Sequence, residues 1–172
     1  MKTGLVLEGG GIRGIYAAGV LDVLLENNIW TDGLIGTSAG AVNGCSYVSN
    51  QYERNLRYNI RFAKEKRYMS IYSLITTGNV VGTDFAYNIL PNKLEVFDYD
   101  AFEKSPVAYY VTCSNVETGK AEYIQCKSLR GKNMDYLRAS ASLPYVSQIV
   151  EIDGKKYLDG GICDSRIVTN IR

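Results

Sequence analysis

The chain of 172 residues contains no histidine. Without an imidazole there can be no Ser-His-Asp triad, no Cys-His pair and no His-ligated metal centre, so any chemistry falls to carboxylates, lysine, tyrosine, hydroxyls or backbone groups. Neither sign of charge is in excess: 19 Lys and Arg stand against 18 Asp and Glu, a formal net charge of +1. That removes the bulk field that draws a protein onto nucleic acid, and no nucleic-acid partner is expected. Long hydrophobic runs are missing as well. Nothing approaches the roughly 18 consecutive apolar residues of a membrane span, and the apolar N-terminal run breaks at once at Glu8 and its glycines, unlike a signal peptide. These absences predict a cytoplasmic protein. The 4 cysteines, Cys45, Cys113, Cys126 and Cys163, are scattered without any C-x-x-C, which suits reduced thiols rather than a disulfide framework or a zinc site, and no metal is expected.

What is present is a core-forming composition, 46% hydrophobic, and residues 1–172 read as one domain. Residues 5–8 read as a buried strand and 15–27 as a helix, with Ile15, Ala18, Leu21, Leu24 and Leu25 on one face. Leu34-Ile35 reads as a second strand and 39–49 as a second helix. This alternation predicts an α/β domain with a parallel sheet. Residues 51–66 look helical and basic, with Arg54, Arg57, Arg61 and Lys64 along one face. A solvated helix face is the simplest expectation, and a surface resting on anionic lipid headgroups is the functional alternative. Further on, 76–82 reads as a loop and 83–90 as a short helix stopped near Pro91. Strands at 107–113 and 121–126 form a hairpin through Glu117-Thr118-Gly119, a helix covers 135–142, and 149–152 and 156–158 flank the tight turn Asp153-Gly154.

Two junctions carry the chemistry. At the first, Gly9, Gly11 and Gly14 satisfy G-x-G-x-x-G between strand and helix, the pattern of a dinucleotide-binding loop. A Rossmann reading also needs an acidic residue at the end of the second strand, where this chain has Gly36-Thr37-Ser38. The second junction, Gly36-Thr37-Ser38-Ala39-Gly40, has the G-x-S-x-G form on a strand-to-helix turn that would project the Ser38 hydroxyl clear of the sheet. An N-capping serine is the plain alternative. A serine hydroxyl needs a neighbour to take its proton. In a histidine-free chain the candidate base is Asp159, at the end of a predicted strand and followed by Gly160 and Gly161.

Together, Gly9-Gly10-Gly11-Ile12-Arg13-Gly14, Gly36-Thr37-Ser38-Ala39-Gly40 and Asp159-Gly160-Gly161, in that order, resemble the patatin-like phospholipase family. The segment Ala139-Ser140-Ala141-Ser142-Leu143-Pro144 resembles the stretch preceding the family's aspartate. The resemblance implies a three-layer α/β/α fold with a mostly parallel central sheet, and hydrolysis of phospholipid or other acyl esters through an acyl-serine. It implies Ser38 as nucleophile, Asp159 as general base, and an oxyanion hole from Gly9, Gly10, Gly11, Ile12, Arg13, Gly14 and Ala39, with Gly36, Gly40, Gly160 and Gly161 in support. Arg13, at the family's basic position, is expected to hold the loop by bonding backbone carbonyls; pairing with a substrate phosphate is the alternative. No metal or organic cofactor is implied. Family members usually continue past Asp-Gly-Gly with a proline-containing turn and further elements. Here Cys163-Asp164-Ser165-Arg166-Ile167-Val168 leads to the last residues, so the chain reads as short at its C-terminus, with oligomerisation a way to cover exposed edges. A non-catalytic lipid-binding or scaffold protein on the same fold is the alternative from another class.

Overall fold

The computed structural model describes residues 2–165. The parallel part of the sheet is built first: β1 (Gly4–Leu7), α1 (Ile15–Glu26), β2 (Gly33–Thr37) and α2 (Ala39–Val48) alternate as the apolar pattern requires. β1 pairs with β2, and β2 with β3 (Ala108–Asn115), both in parallel. Three more strands join antiparallel: β4 (Lys120–Gln125) on β3, β6 (Lys155–Asp159) on β3, and β5 (Val150–Ile152) on β6. The sheet is therefore mixed, with helices on both sides, a three-layer α/β/α arrangement.

The register on β3 sets which strand ends meet. Its residues Tyr110–Asn115 pair with β4 along one edge. On the other edge Ala108–Thr112 pair with β2, and Cys113–Asn115 pair with β6. Because β2 runs parallel to β3 and β6 antiparallel, the two strands point at each other along that edge. Thr37 lies opposite Thr112 and Asp159 opposite Cys113, so the C-terminal ends of β2 and β6 meet.

The core lies between the sheet and α2. Leu34 and Val111 from the strands meet Ala41, Cys45 and Val48 of α2, with Leu21 and Leu25 of α1 in the same cluster. Three tyrosines in it are nearly inaccessible, and each finds an acceptor for its hydroxyl: Tyr47 donates to Ile29 O at 2.9 Å, Tyr109 to Ala41 O at 2.6 Å and Tyr157 to Glu122 Oε2 at 2.7 Å. Buried phenols are tolerated on that condition.

The chain from 51 to 104 departs most from expectation. The basic helix is shorter, α3 (Arg54–Arg61), because Asn50 and Glu53 adopt positive φ of 55° and 54° and hold the chain out of the helix until Arg54. The stretch expected as a loop is partly α4 (Ile71–Thr77), capped by Ser70, whose hydroxyl accepts from Ser73 N at 2.9 Å. Pro91 does not stop its helix. Phe85–Leu94 runs through it as a π-helix, whose wider turn accommodates a residue with no N–H; Glu95 N donates to Leu90 O, five residues back, at 2.9 Å. α5 (Tyr99–Lys104), capped by Asp98, went unread in the sequence. α6 (Lys132–Ser140) starts three residues before its expected position and packs on β3, β5 and β6.

The basic stripe is a solvated face except at its first residue. Arg54 is buried, donating from Nη2 to Glu95 O at 2.9 Å, with its guanidinium over the Tyr58 and Phe97 rings. Arg57 and Arg61 both pair with the Glu95 carboxylate, each at 3.4 Å. Three of the four expected surface cations thus hold the Glu95 segment in place, and only Lys64 is left exposed and unpaired among the described residues.

Candidate active site

Ser38 stands at the turn between β2 and α2 with φ 54° and ψ −125°, backbone torsions that a non-glycine residue adopts only when its surroundings force it. The surroundings are close-packed. A Cβ on Gly40 would fall 2.4 Å from Leu7 O, and one on Gly36 would fall 2.5 Å from the Ala41 Cα. The turn can be this sharp because neither residue has a side chain. The Ser38 N–H donates to Ser140 Oγ at 2.9 Å, fixing the turn from the C-terminal half of the chain.

Asp159 ends β6 and is almost wholly inaccessible. Its N–H donates to Ser142 O at 2.8 Å, its own carbonyl accepts from Ser114 Oγ at 2.8 Å, and Oδ1 accepts from Gly161 N at 2.8 Å. Oδ2 is buried and has no hydrogen-bond partner among the described residues. Burial pushes the carboxyl pKa up, while the nearby Ser38 hydroxyl and the Gly161 N–H draw it part of the way back. The Ser38 hydroxyl is therefore the neighbour that bears on this carboxylate, although Oδ2 is left without a hydrogen bond among the described residues. Catalytic hydrogen bonds commonly tighten only when substrate arrives.

The glycine loop closes the site from the third side. Gly9 abuts Ser38: a Cβ there would lie 3.1 Å from the Ser38 Cβ. Gly10 O accepts from Arg13 N at 3.1 Å, which starts the 3-10 turn Gly11–Gly14. Asn43 of α2 donates from Nδ2 to Gly14 O at 2.8 Å, and Gly14 packs on Ala39, so the loop is tied to the same helix that carries the serine. Arg13 departs from its expected role. Its side chain is exposed and bonds no backbone carbonyl among the described residues. Gly160 packs against Thr112 O and opens the 3-10 turn Gly160–Ile162 after the aspartate.

Ser38, Ala39, Gly11 and Ile12 line one cavity of about 310 Å³. Its wall follows α2 through Val42, Asn43 and Cys45, so it runs about 10 Å from the turn at 1.5 Å per residue. The lining is mainly aliphatic and aromatic, from Met69, Val81, Leu90, Leu129 and Leu137, with Arg54 among the polar exceptions. That is the shape and polarity of a slot for a hydrocarbon chain. Ser140, Ser142, Ser114 and Asn43 are the site residues that sequence reasoning did not single out. The A-S-A-S-L-P segment contained the first two, but nothing local shows that a serine hydroxyl will brace a turn 102 residues away. Residues 166–168 of the expected C-terminal run lie outside those described.

The chain has relatives among known proteins. The family model for patatin-like phospholipases matches residues 5–170. The chain belongs to that family. Among curated relatives, it is 28% identical to YjjU of Escherichia coli over 95% of this chain and 46% of that protein. It is 31% identical to the lysophospholipase nte1 of Aspergillus oryzae over 99% of this chain and 11% of that protein. The lysophospholipase NTE1 of Saccharomyces cerevisiae is 30% identical over 98% and 10% respectively. The crystal structure of VipD from Legionella pneumophila shares the fold, with a TM-score of 0.51 at 16% identity over 95% of this chain and 46% of that one. The chain thus spans less than half the length of these relatives. Membership in the patatin-like family also leaves the glycine loop beside a serine elbow, not beside the ribose-binding acid of a dinucleotide fold. No helix among the described residues is long and apolar enough to cross a membrane.

Proposed function

We propose that the protein is a lipid acyl hydrolase in which Ser38 is the nucleophile and Asp159 its general base. The observation that carries this reading is the head-on meeting of β2 and β6 on one edge of β3. It sets a strained serine beside a carboxylate oxygen that is buried and unpartnered among the described residues. The fungal relatives are lysophospholipases by name, which supports an acyl ester of a polar lipid as substrate.

In this mechanism the acyl chain lies in the slot along α2 and the ester carbonyl sits over Ser38. Asp159 Oδ2 accepts the hydroxyl proton as Oγ attacks the carbonyl carbon, giving a tetrahedral oxyanion. Backbone N–H groups of the Gly9–Ile12 part of the loop and of Ala39 serve that oxygen, each donor contributing about 3 kcal/mol of barrier lowering, whereas the Arg13 N–H, expected among them, is engaged by Gly10 O. The alcohol leaves with the proton held by Asp159, and an acyl-serine remains. Water then gives a proton to the same carboxylate as it attacks the acyl carbon, and as the bond from that carbon to Ser38 Oγ breaks, Asp159 returns the proton to Oγ, releasing the fatty acid and restoring the serine hydroxyl. A base that burial has made harder to ionise binds a proton more readily than an ordinary aspartate, which suits the task.

Hydrolysis of a short-chain chromogenic ester by the protein, by Ser38→Ala and by Asp159→Asn is the test. We expect both substitutions to reduce kcat/KM by at least about a thousandfold. Wild-type turnover no faster than Ser38→Ala would leave a lipid-binding protein without this activity. The acid limb of the wild-type rate should fall above about pH 4, the ordinary aspartate value, because only the ionised carboxylate accepts a proton.

A further inference from the structure

Short surface helices ordinarily turn their apolar residues inward. α4 does the reverse. It buries Ser73 at 2% exposure and presents Ile71 at 74%, Tyr72 at 55% and Ile75 at 78%. It does so beside the opening of the cavity. Met69 and Val81, paired as a β-bridge at the foot of α4, line that cavity, as does Val80, whose carbonyl accepts from Ser70 N at 3.0 Å. Val80 N donates to Val146 O at 2.7 Å, and Gln148 N to Asn79 Oδ1 at 2.8 Å, tying the foot of α4 to the loop at 143–149. On that loop Tyr145 is held at φ 68° with its side chain fully exposed, and Leu143 lines the cavity while remaining half exposed. Ile12 of the glycine loop, 74% exposed, completes the rim.

Charge agrees with this placement. The segments that build the rim, 9–21, 66–83 and 136–150, contain no Asp or Glu, although the whole chain has 18. Acids bound them on both sides, Glu8 and Asp22, Glu65 and Asp84, Asp135 and Glu151, but within them Arg13, next to Ile12, and Lys66, whose carbonyl accepts from Ser70 Oγ at 2.5 Å, stand exposed with no ion-pair partner among the described residues. An apolar rim whose own charges are cationic, with tyrosines at its outer edge, matches the chemistry of a bilayer surface bearing anionic headgroups.

We infer that α4, the 143–149 loop and Ile12 form a docking surface for an anionic lipid bilayer, around the mouth through which an acyl chain reaches Ser38. The inference builds on the acyl-hydrolase reading. The alternative raised by the sequence was lipid contact through the basic face of α3, whose Arg54, Arg57 and Arg61 are instead engaged with the Glu95 segment. Ile71 and Ile75 insert below the headgroups, and an acyl chain passes from bilayer to cavity without crossing water.

Co-sedimentation with phosphatidylcholine vesicles, with and without phosphatidylglycerol, tests the assignment. The protein should bind the anionic vesicles more strongly than the neutral ones. The double substitution Ile71→Ser/Ile75→Ser should reduce partitioning about tenfold, and Tyr145→Ser should act in the same direction from the other segment. Hydrolysis of a soluble butyrate ester should be unchanged by either, showing that fold and catalytic centre are intact. Absent wild-type binding, or equal partitioning of wild type and the double variant, overturns the assignment. So does a wild-type dimer that the double substitution makes monomeric, which would give the face to a second copy of the chain. If the wild-type protein binds anionic vesicles but does not cleave the butyrate ester, docking stands and the hydrolase reading falls.

Discussion

Asp159 is subject to two opposed requirements: catalysis asks for an ionised carboxylate in a dry place, and folding resists putting one there. Burial raises its pKa, so between the unfolded and the folded pKa the native state holds the proton more tightly than the unfolded chain. Stability attached to this group is therefore fully present below the unfolded pKa of about 4 and declines as pH rises through the folded value. Asp159→Asn keeps an oxygen for the Gly161 N–H and removes the charge. It should abolish turnover and yet raise the thermal midpoint at neutral pH, with the gain shrinking toward about pH 4. A thermal melt at several pH values reads this directly; an unchanged or lower midpoint at pH 7 would show that the carboxylate is not under strain. The elbow imposes its own limit. Gly40→Ala would drive a methyl to 2.4 Å from Leu7 O and must part α2 from β1. Urea unfolding should report a loss of about 3 kcal/mol or more, with ester turnover falling as the glycine loop moves from Ser38.

At the scale of elements, α4 has a single side-chain cap. Ser70→Ala removes the acceptor for Ser73 N and should destabilise the helix by about 1 kcal/mol, seen as about fivefold faster amide exchange at 73–78 with little change in global stability. The same helix shows where sequence reading stops. β1, α1, β2 and α2 follow from local apolar periodicity and glycine punctuation and were legible to within a few residues. The turn at Asp153-Gly154 was equally plain, since both residues adopt the positive φ that this dipeptide favours. α4 hides because its exposed residues are isoleucines and its buried one is serine, the opposite of an amphipathic signal. Pro91 suggested a stop that a π-helix does not obey. Arg54 has the same helical spacing as the exposed Arg57 and Arg61, and only tertiary structure shows that it is buried against the Glu95 segment.

For the molecule as a whole, the placement of the site is a property of the sheet. Ser38 and Asp159 are 121 residues apart, and the motif around each was readable as a candidate from its glycines. What the motifs do not contain is the register on β3 that brings the ends of β2 and β6 together, or the slot that α2 roofs beside them. The brace from Ser140 to the Ser38 N–H belongs to this same level, joining the two halves of the chain at the reacting centre.

The central claim, that the elbow presents an activated serine, is tested most directly by exposing the protein to a fluorophosphonate ester and locating the adduct by peptide mass spectrometry. The account predicts a single phosphonylated residue, Ser38, labelled at a rate that Asp159→Asn reduces by at least about a hundredfold. No adduct at Ser38, or labelling of Ser38 that does not depend on Asp159, would contradict it.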